Sequence, residues 1–130
     1  VHAHGRIAIE PDFPRKPIAW LGSSKRDLLA MPPEVQDRLG YALDLAQNNA
    51  VSGQAKRMKG DLRDVTEART HNESGDSTFR ATYTDAFGDA IYVLHVFQKK
   101  AKRGTETPKR DLELIRRRLK EARKWHEQEG

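Results

Sequence analysis

The sequence predicts an α+β domain, an antiparallel sheet with an N-terminal helical hairpin and a C-terminal helix. Three observations predict it. Apolar residues recur at helical spacing over 35–46 and 112–122; they alternate with polar residues over 79–84, after a strand with a polar face over 65–71; and residues 90–97 are apolar almost throughout, as in a strand buried on both faces.

Residues 1–14 mix His, Gly, Pro and isolated apolar groups without a period and read as a flexible lead segment, with 15–130 as the single domain. His2 and His4 lack partner ligands there and read as incidental. Lys16 to Leu21 forms a short apolar run closed by Gly22, a first strand with Pro17 near its start, where a missing N–H is tolerated. Ser24, three residues before Asp27, opens a short helix carrying Leu28, Leu29 and Met31, which Pro32-Pro33 ends. Val35, Leu39, Ala42, Leu43 and Ala46 then line one face of an amphipathic helix that stops near Asn48-Asn49, and the two helices form the expected hairpin.

Lys56, Arg57 and Lys59 fall in a connection ending at Gly60, which reads equally as a solvated loop and as a phosphate contact. From Val65 to His71 the chain alternates, with Val65, Glu67, Arg69 and His71 on one face. Asn72 to Asp76 has turn composition, and Phe79, Ala81 and Tyr83 then alternate with Arg80, Thr82 and Thr84, which completes a hairpin. Gly88-Asp89 turns the chain into the apolar run to Phe97, which only His95 interrupts. After a basic loop over 99–109, Thr107 can cap a helix with Pro108 at its first position and Leu112, Ile115, Leu119 and Ala122 as its buried stripe.

The chain has 130 residues, one core's worth, and no cysteine, so disulfide frameworks and thiolate metal sites are excluded. No run approaches the roughly 18 apolar residues of a membrane helix, and no signal-peptide core is present, so the expected location is the cytoplasm. The formal charge is +5, and residues 99–130 hold 12 Lys/Arg against 6 Asp/Glu, leaving 12 basic and 13 acidic groups in the rest. Such concentration of positive charge suits a polyanion partner through counterion release, and it also suits a solvated helix face.

Met58-Lys-Gly60, Glu67-Ala-Arg69, Phe79-Arg-Ala-Thr-Tyr83, Tyr92-Val-Leu-His-Val-Phe-Gln-Lys-Lys100 and Thr107-Pro-Lys109 occur in this order. Together they resemble the RelE/ParE toxin superfamily, in particular its phage-related HigB-like branch, from about Lys16 to about Ala122. The resemblance implies a RelE-like sheet-and-helices toxin of a type II toxin–antitoxin system. Its cognate antitoxin would often carry a helix-turn-helix domain. The implied activity is endonucleolytic cleavage of mRNA, commonly in the ribosomal A site, by attack of a ribose 2′-hydroxyl on the adjacent phosphate without metal or cofactor. No clustered His/Asp/Glu set at ligand spacing speaks against that.

Such cleavage needs a base, a cation for the phosphate and an acid, which Arg, Lys and His can supply. Arg80 matches the family's strand arginine and its fork can hold two phosphate oxygens. Arg69 shares a face with Glu67; the pair reads as an ion pair across the hairpin, and Arg69 equally as a catalytic cation. His95 reads evenly as a bonded core histidine and as the proton-transfer group, with His71 the lesser candidate. By alternation Lys99 shares the side of His95, whereas Lys100, Lys102, Arg103 and Lys109, with Lys56, Arg57 and Lys59, suit backbone binding. Tyr83 and Tyr92 favour core packing over base stacking. Thr66, where the family has an aliphatic residue, and the long turn at 72–77 depart from the pattern and put the reach of His71 in doubt. The superfamily also contains ParE-like members that inhibit DNA gyrase by protein contact on the same scaffold, and a non-catalytic RNA-binding module is a third reading.

Overall fold

The computed structural model describes residues 7–12, 15–99 and 107–129. In chain order they form β1 (Ile7–Asp12), β2 (Arg15–Leu21), α1 (Ser24–Leu29), α2 (Pro33–Gln47), β3 (Ala55–Arg57), a 3₁₀ turn at Gly60–Leu62, β4 (Thr66–His71), β5 (Thr78–Thr84), β6 (Ile91–Gln98) and α3 (Lys109–Glu129). The α+β class is as expected, with one six-stranded sheet in the order β1-β2-β6-β5-β4-β3.

The sheet departs from the expectation in two ways. It is mixed, because β2 and β6 run parallel, with Ile18 opposite Ile91 and Trp20 opposite Val93. The chain leaves β2 through both helices, builds the β3–β4–β5 side, and returns through β6 beside β2 in the same direction. The expected flexible lead over 1–14 also fails over 7–12, which is a strand paired antiparallel to β2 with Ile7 opposite Leu21 and Ile9 opposite Ala19. Pro11 falls where that register shifts, a position on an edge strand that tolerates its missing N–H. Tertiary pairing therefore orders a stretch whose composition carries no strand signal.

Helices cover both faces. On one face α1 and α2 pack Leu28, Val35, Leu39 and Leu43 against Trp20, Phe79, Ala81, Tyr83, Val93 and Val96. On the other α3 packs Ile115, Leu119 and Ala122 against Leu21, Val65, Tyr92, Leu94 and Phe97. The central strand β6 is buried from Ile91 to Phe97, which explains its apolar character on both sides. Both tyrosines lie in these cores; burial raises the Tyr83 and Tyr92 phenols above the ordinary value of 10.

Local signals were reassigned in places. The N-cap of α1 is Ser23, whose Oγ donates to Asp27 Oδ2 (2.7 Å), while Ser24 is buried and donates to the Val93 carbonyl (3.3 Å). Connected by residues 30–32, α1 packs chiefly on β6 and β2, and α2 chiefly on β4 and β2. The sheet, rather than a hairpin interface, is thus each helix's main support. Lys56 and Arg57, expected in a loop, lie in β3, whose Lys56 opposes Glu67 and whose Arg57 opposes Thr66.

Candidate active site

Alternation in β4, β5 and β6 sets two rows of side chains on the α3 face of the sheet. Glu67, Thr82 and His95 form one row, and Arg69, Arg80 and Phe97 the next. Lys56 extends the first row from β3. The Lys99 N–H donates to the Thr78 carbonyl (2.8 Å), so the ladder continues past β6 and Lys99 takes the register position of Thr78. Arg69, Arg80, His95 and Lys99, all candidates from sequence, therefore share one face of three neighbouring strands.

The face of His95 depends on a bulge. Thr82 opposes His95 but Tyr83 opposes Val93, so Leu94 is an extra residue in β6. Without it, strict alternation from Ile91 and Val93 would turn His95 towards α2. With it, Phe97 joins Tyr92 and Leu94 in the α3-side core and the His95 ring stacks on Phe97 at 4.4 Å between centroids.

Arg80 does not present itself to solvent. It is 1% exposed, and its Nη1 lies 3.3 Å from each carboxylate oxygen of Glu67 and donates to Thr107 Oγ1 at 2.9 Å. Thr107 in turn donates to Glu67 Oε2 at 2.8 Å, so its hydroxyl serves this pair, and α3 begins at Lys109 rather than at Pro108 as expected. Arg69 Nε approaches Glu67 Oε1 at 3.5 Å with its side chain 28% exposed. The buried carboxylate thus anchors both arginines; the ion-pair reading anticipated Arg69 as its partner and not Arg80. Burial lowers the Arg80 guanidinium from its ordinary value and the Glu67 charge opposes that; the group stays charged throughout the physiological range.

His95 is 8% exposed and its Nε2 lies 2.7 Å from Asp111 Oδ1, in the first turn of α3. A carboxylate only accepts, so Nε2 donates, and in the neutral ring Nδ1 carries the lone pair. Nδ1 is buried without a hydrogen-bond partner among the described residues. Burial holds the imidazole below its ordinary 6.5, against the opposing effect of Asp111.

Towards the β3 edge the site opens into a groove lined by Gly53, Gln54, Ala55, Lys56, Arg69 and His71. Lys56, Arg57, Lys59 and Lys109 are exposed, but only Lys56 shares the row of Glu67; Arg57 is turned to the other face and reaches the Arg63 carbonyl (3.4 Å). Lys100, Lys102 and Arg103 lie outside the described residues. Sequence reasoning missed Asp111, Phe97 and the bonding role of Thr107. The Thr-Pro-Lys signal marks the start of α3, yet only the crossing of α3 over β6 brings Asp111 to His95.

Among the described residues no three His, Asp or Glu group as a metal-ligand set, and no helix is long and apolar enough to cross a membrane. No curated protein and no solved structure matches the chain. A family described as phage derived protein Gp49-like (DUF891) matches residues 26–120, from α1 to the body of α3 and including every side chain of the site above. The chain belongs to this phage-derived Gp49-like family.

Proposed function

We propose that the protein is a toxin of the RelE/HigB type within a type II toxin–antitoxin system, an endoribonuclease that cleaves mRNA on the ribosome and is neutralised by a cognate antitoxin with a helix-turn-helix domain. The observation that carries this reading is the single sheet face on which the Glu67-anchored Arg69 and Arg80 adjoin the His95–Asp111 pair and open into a basic groove. Membership of the Gp49-like family is compatible with a toxin.

In the proposed reaction a single-stranded RNA segment enters along Lys56, Arg69 and His71. Arg69 meets the scissile phosphate, because it is the arginine of the anchored pair that reaches solvent. Arg80 holds Glu67 and thereby the orientation of Arg69, a change from the phosphate clamp that its strand position alone suggests. His95 takes the 2′-hydroxyl proton at Nδ1, the nitrogen that Asp111 leaves with its lone pair; Nδ1 is buried in the free protein, so the RNA must displace what covers it. The 2′-oxygen then bonds to phosphorus as the bond from phosphorus to the 5′-oxygen breaks, the 5′-oxygen takes a proton from water, and the products are a 2′,3′-cyclic phosphate and a 5′-hydroxyl. Lys99, on the same face, is the cation nearest the strand end for the growing charge.

The test is single-turnover cleavage of mRNA bound to stalled ribosomes, with end-group analysis and a pH profile. The expected products are the cyclic phosphate and 5′-hydroxyl. Because burial depresses the His95 imidazole, the base form persists below pH 6.5 and the acidic limb of the rate lies below that value. Asp111→Asn removes the partner that favours imidazolium and moves the limb lower still. The same shift acts on stability: the unfolded chain takes up the proton first as pH falls. The contribution of neutral His95 is therefore complete above 6.5 and is lost as pH falls through its lower folded value. A limb at or above 6.5 counts against His95 as the base.

A further inference from the structure

At the bulge that turns His95 towards Asp111, side chains donate to two carbonyls of β6. Ser24 Oγ donates to Val93 O (3.3 Å), and Arg118 Nη1 donates to Leu94 O (2.9 Å), the carbonyl of the extra residue itself. Pairing between β2 and β6 ends at Trp20 and Val93, so beyond that point a side chain rather than a strand supports this edge of β6.

Arg118 is set apart from its neighbours. In the run Arg116-Arg117-Arg118 the first two are exposed, Arg116 pairing with Asp61 (2.7 Å), while Arg118 is half-buried and turned to the sheet. Its guanidinium lies against Gly22, which has φ +55°; a Cβ at that position would stand 2.5 Å from Nη2 and 2.8 Å from Cζ. Its Nη2 also approaches Ser23 Oγ at 3.4 Å. Gly22 thus leaves the room that the guanidinium fills. On α3, Asp111 and Arg118 are seven residues apart, two turns on one helix face, with buried Ile115 between them. One face of α3 therefore holds the imidazole through Asp111 and the backbone just before it through Arg118.

We propose that Arg118 is a positioning residue for His95, holding the Leu94 bulge so that the ring faces Asp111 and the sheet's arginines. The proposal rests on the reading of His95 as the proton-transfer group, but its structural half can be read without RNA. Nothing about it requires Arg118 to touch substrate.

The experiment compares wild type with Arg118→Met, which keeps the apolar stem and removes the donor, and Arg118→Lys, which restores a single donor. The first readout is the ¹⁵N signature of the His95 ring in the free protein, assigned by its loss in His95→Gln. Wild type should show one tautomer with Nε2 protonated; Arg118→Met should show a mixture, and Arg118→Lys should recover part of the single-tautomer signal. The second readout is cleavage, where Arg118→Met should lower kcat about tenfold to a hundredfold with KM nearly unchanged, as for a sub-ångström to ångström displacement of a reacting group. A folded Arg118→Met protein with the wild-type ring signature would overturn the proposal, and if that variant does not fold, a wild-type signature together with a wild-type kcat in Gly22→Ala, whose Cβ would displace the guanidinium, does so. A shifted ring in a protein that cleaves no RNA would uphold the positioning and reject the ribonuclease reading.

Discussion

Glu67→Ala should destabilise the fold by about 3–5 kcal/mol, the range for removing one partner of a buried ion pair. Arg80, 1% exposed, would keep its charge and lose the carboxylate that both of its contacts with Glu67 supply. Thr107 would still accept from Nη1 at 2.9 Å, but its hydroxyl brings no charge in place of the lost carboxylate. Against the roughly 5–15 kcal/mol of a whole domain, such a loss is large. Urea denaturation should show a much lower midpoint with little change in slope. Removing both charges together is a different matter: Glu67→Leu with Arg80→Met replaces the pair by apolar groups and should fold with near wild-type stability. That double variant should still be inactive, because Arg69 loses the carboxylate that orients it. Full activity in a stable double variant would reduce the pair to a structural element.

His95→Gln should fold and lose cleavage by about 10²–10⁴, the usual contribution of a positioned general acid–base group. The fold should tolerate it because the change removes a buried ring nitrogen without a partner among the described residues and leaves Asp111, 19% exposed, within reach of water. The stack on Phe97 is lost, which is a modest packing cost. Single-turnover rates and thermal melts on the same preparation check both halves. A rate within a factor of a few of wild type would remove His95 from the chemistry.

Sequence periodicity carried the helices, the β4–β5 hairpin and the buried β6, since each of these depends on a local repeat of apolar residues. It also set Arg69 on the face of Glu67 and Arg80 opposite Phe79, Ala81 and Tyr83, whereas the strand register is what brings Arg69 beside Arg80. It did not carry β1, which forms against Leu21 and Ala19 without a repeat of its own, nor the parallel pairing of β2 with β6, which is a matter of chain path. The side taken by His95 has two answers in sequence, one counted from Val93 and the other from Phe97, and the bulge at Leu94 decides between them. Alternation likewise names the face of Arg80 and says nothing of what covers it, so a residue read as a phosphate clamp is found inside an ion pair. Asp111 escaped notice because its partner is reached only by folding α3 across the sheet.

The central claim is that this face cuts mRNA, and the most direct test is a short pulse of expression of wild type and of His95→Gln, with new RNA ends mapped across the transcriptome. The account predicts new 5′-hydroxyl ends within reading frames for wild type and none for the variant, at equal protein levels. Growth arrest with intact mRNA under both proteins would contradict it and point to inhibition by protein contact, with gyrase the first target to examine.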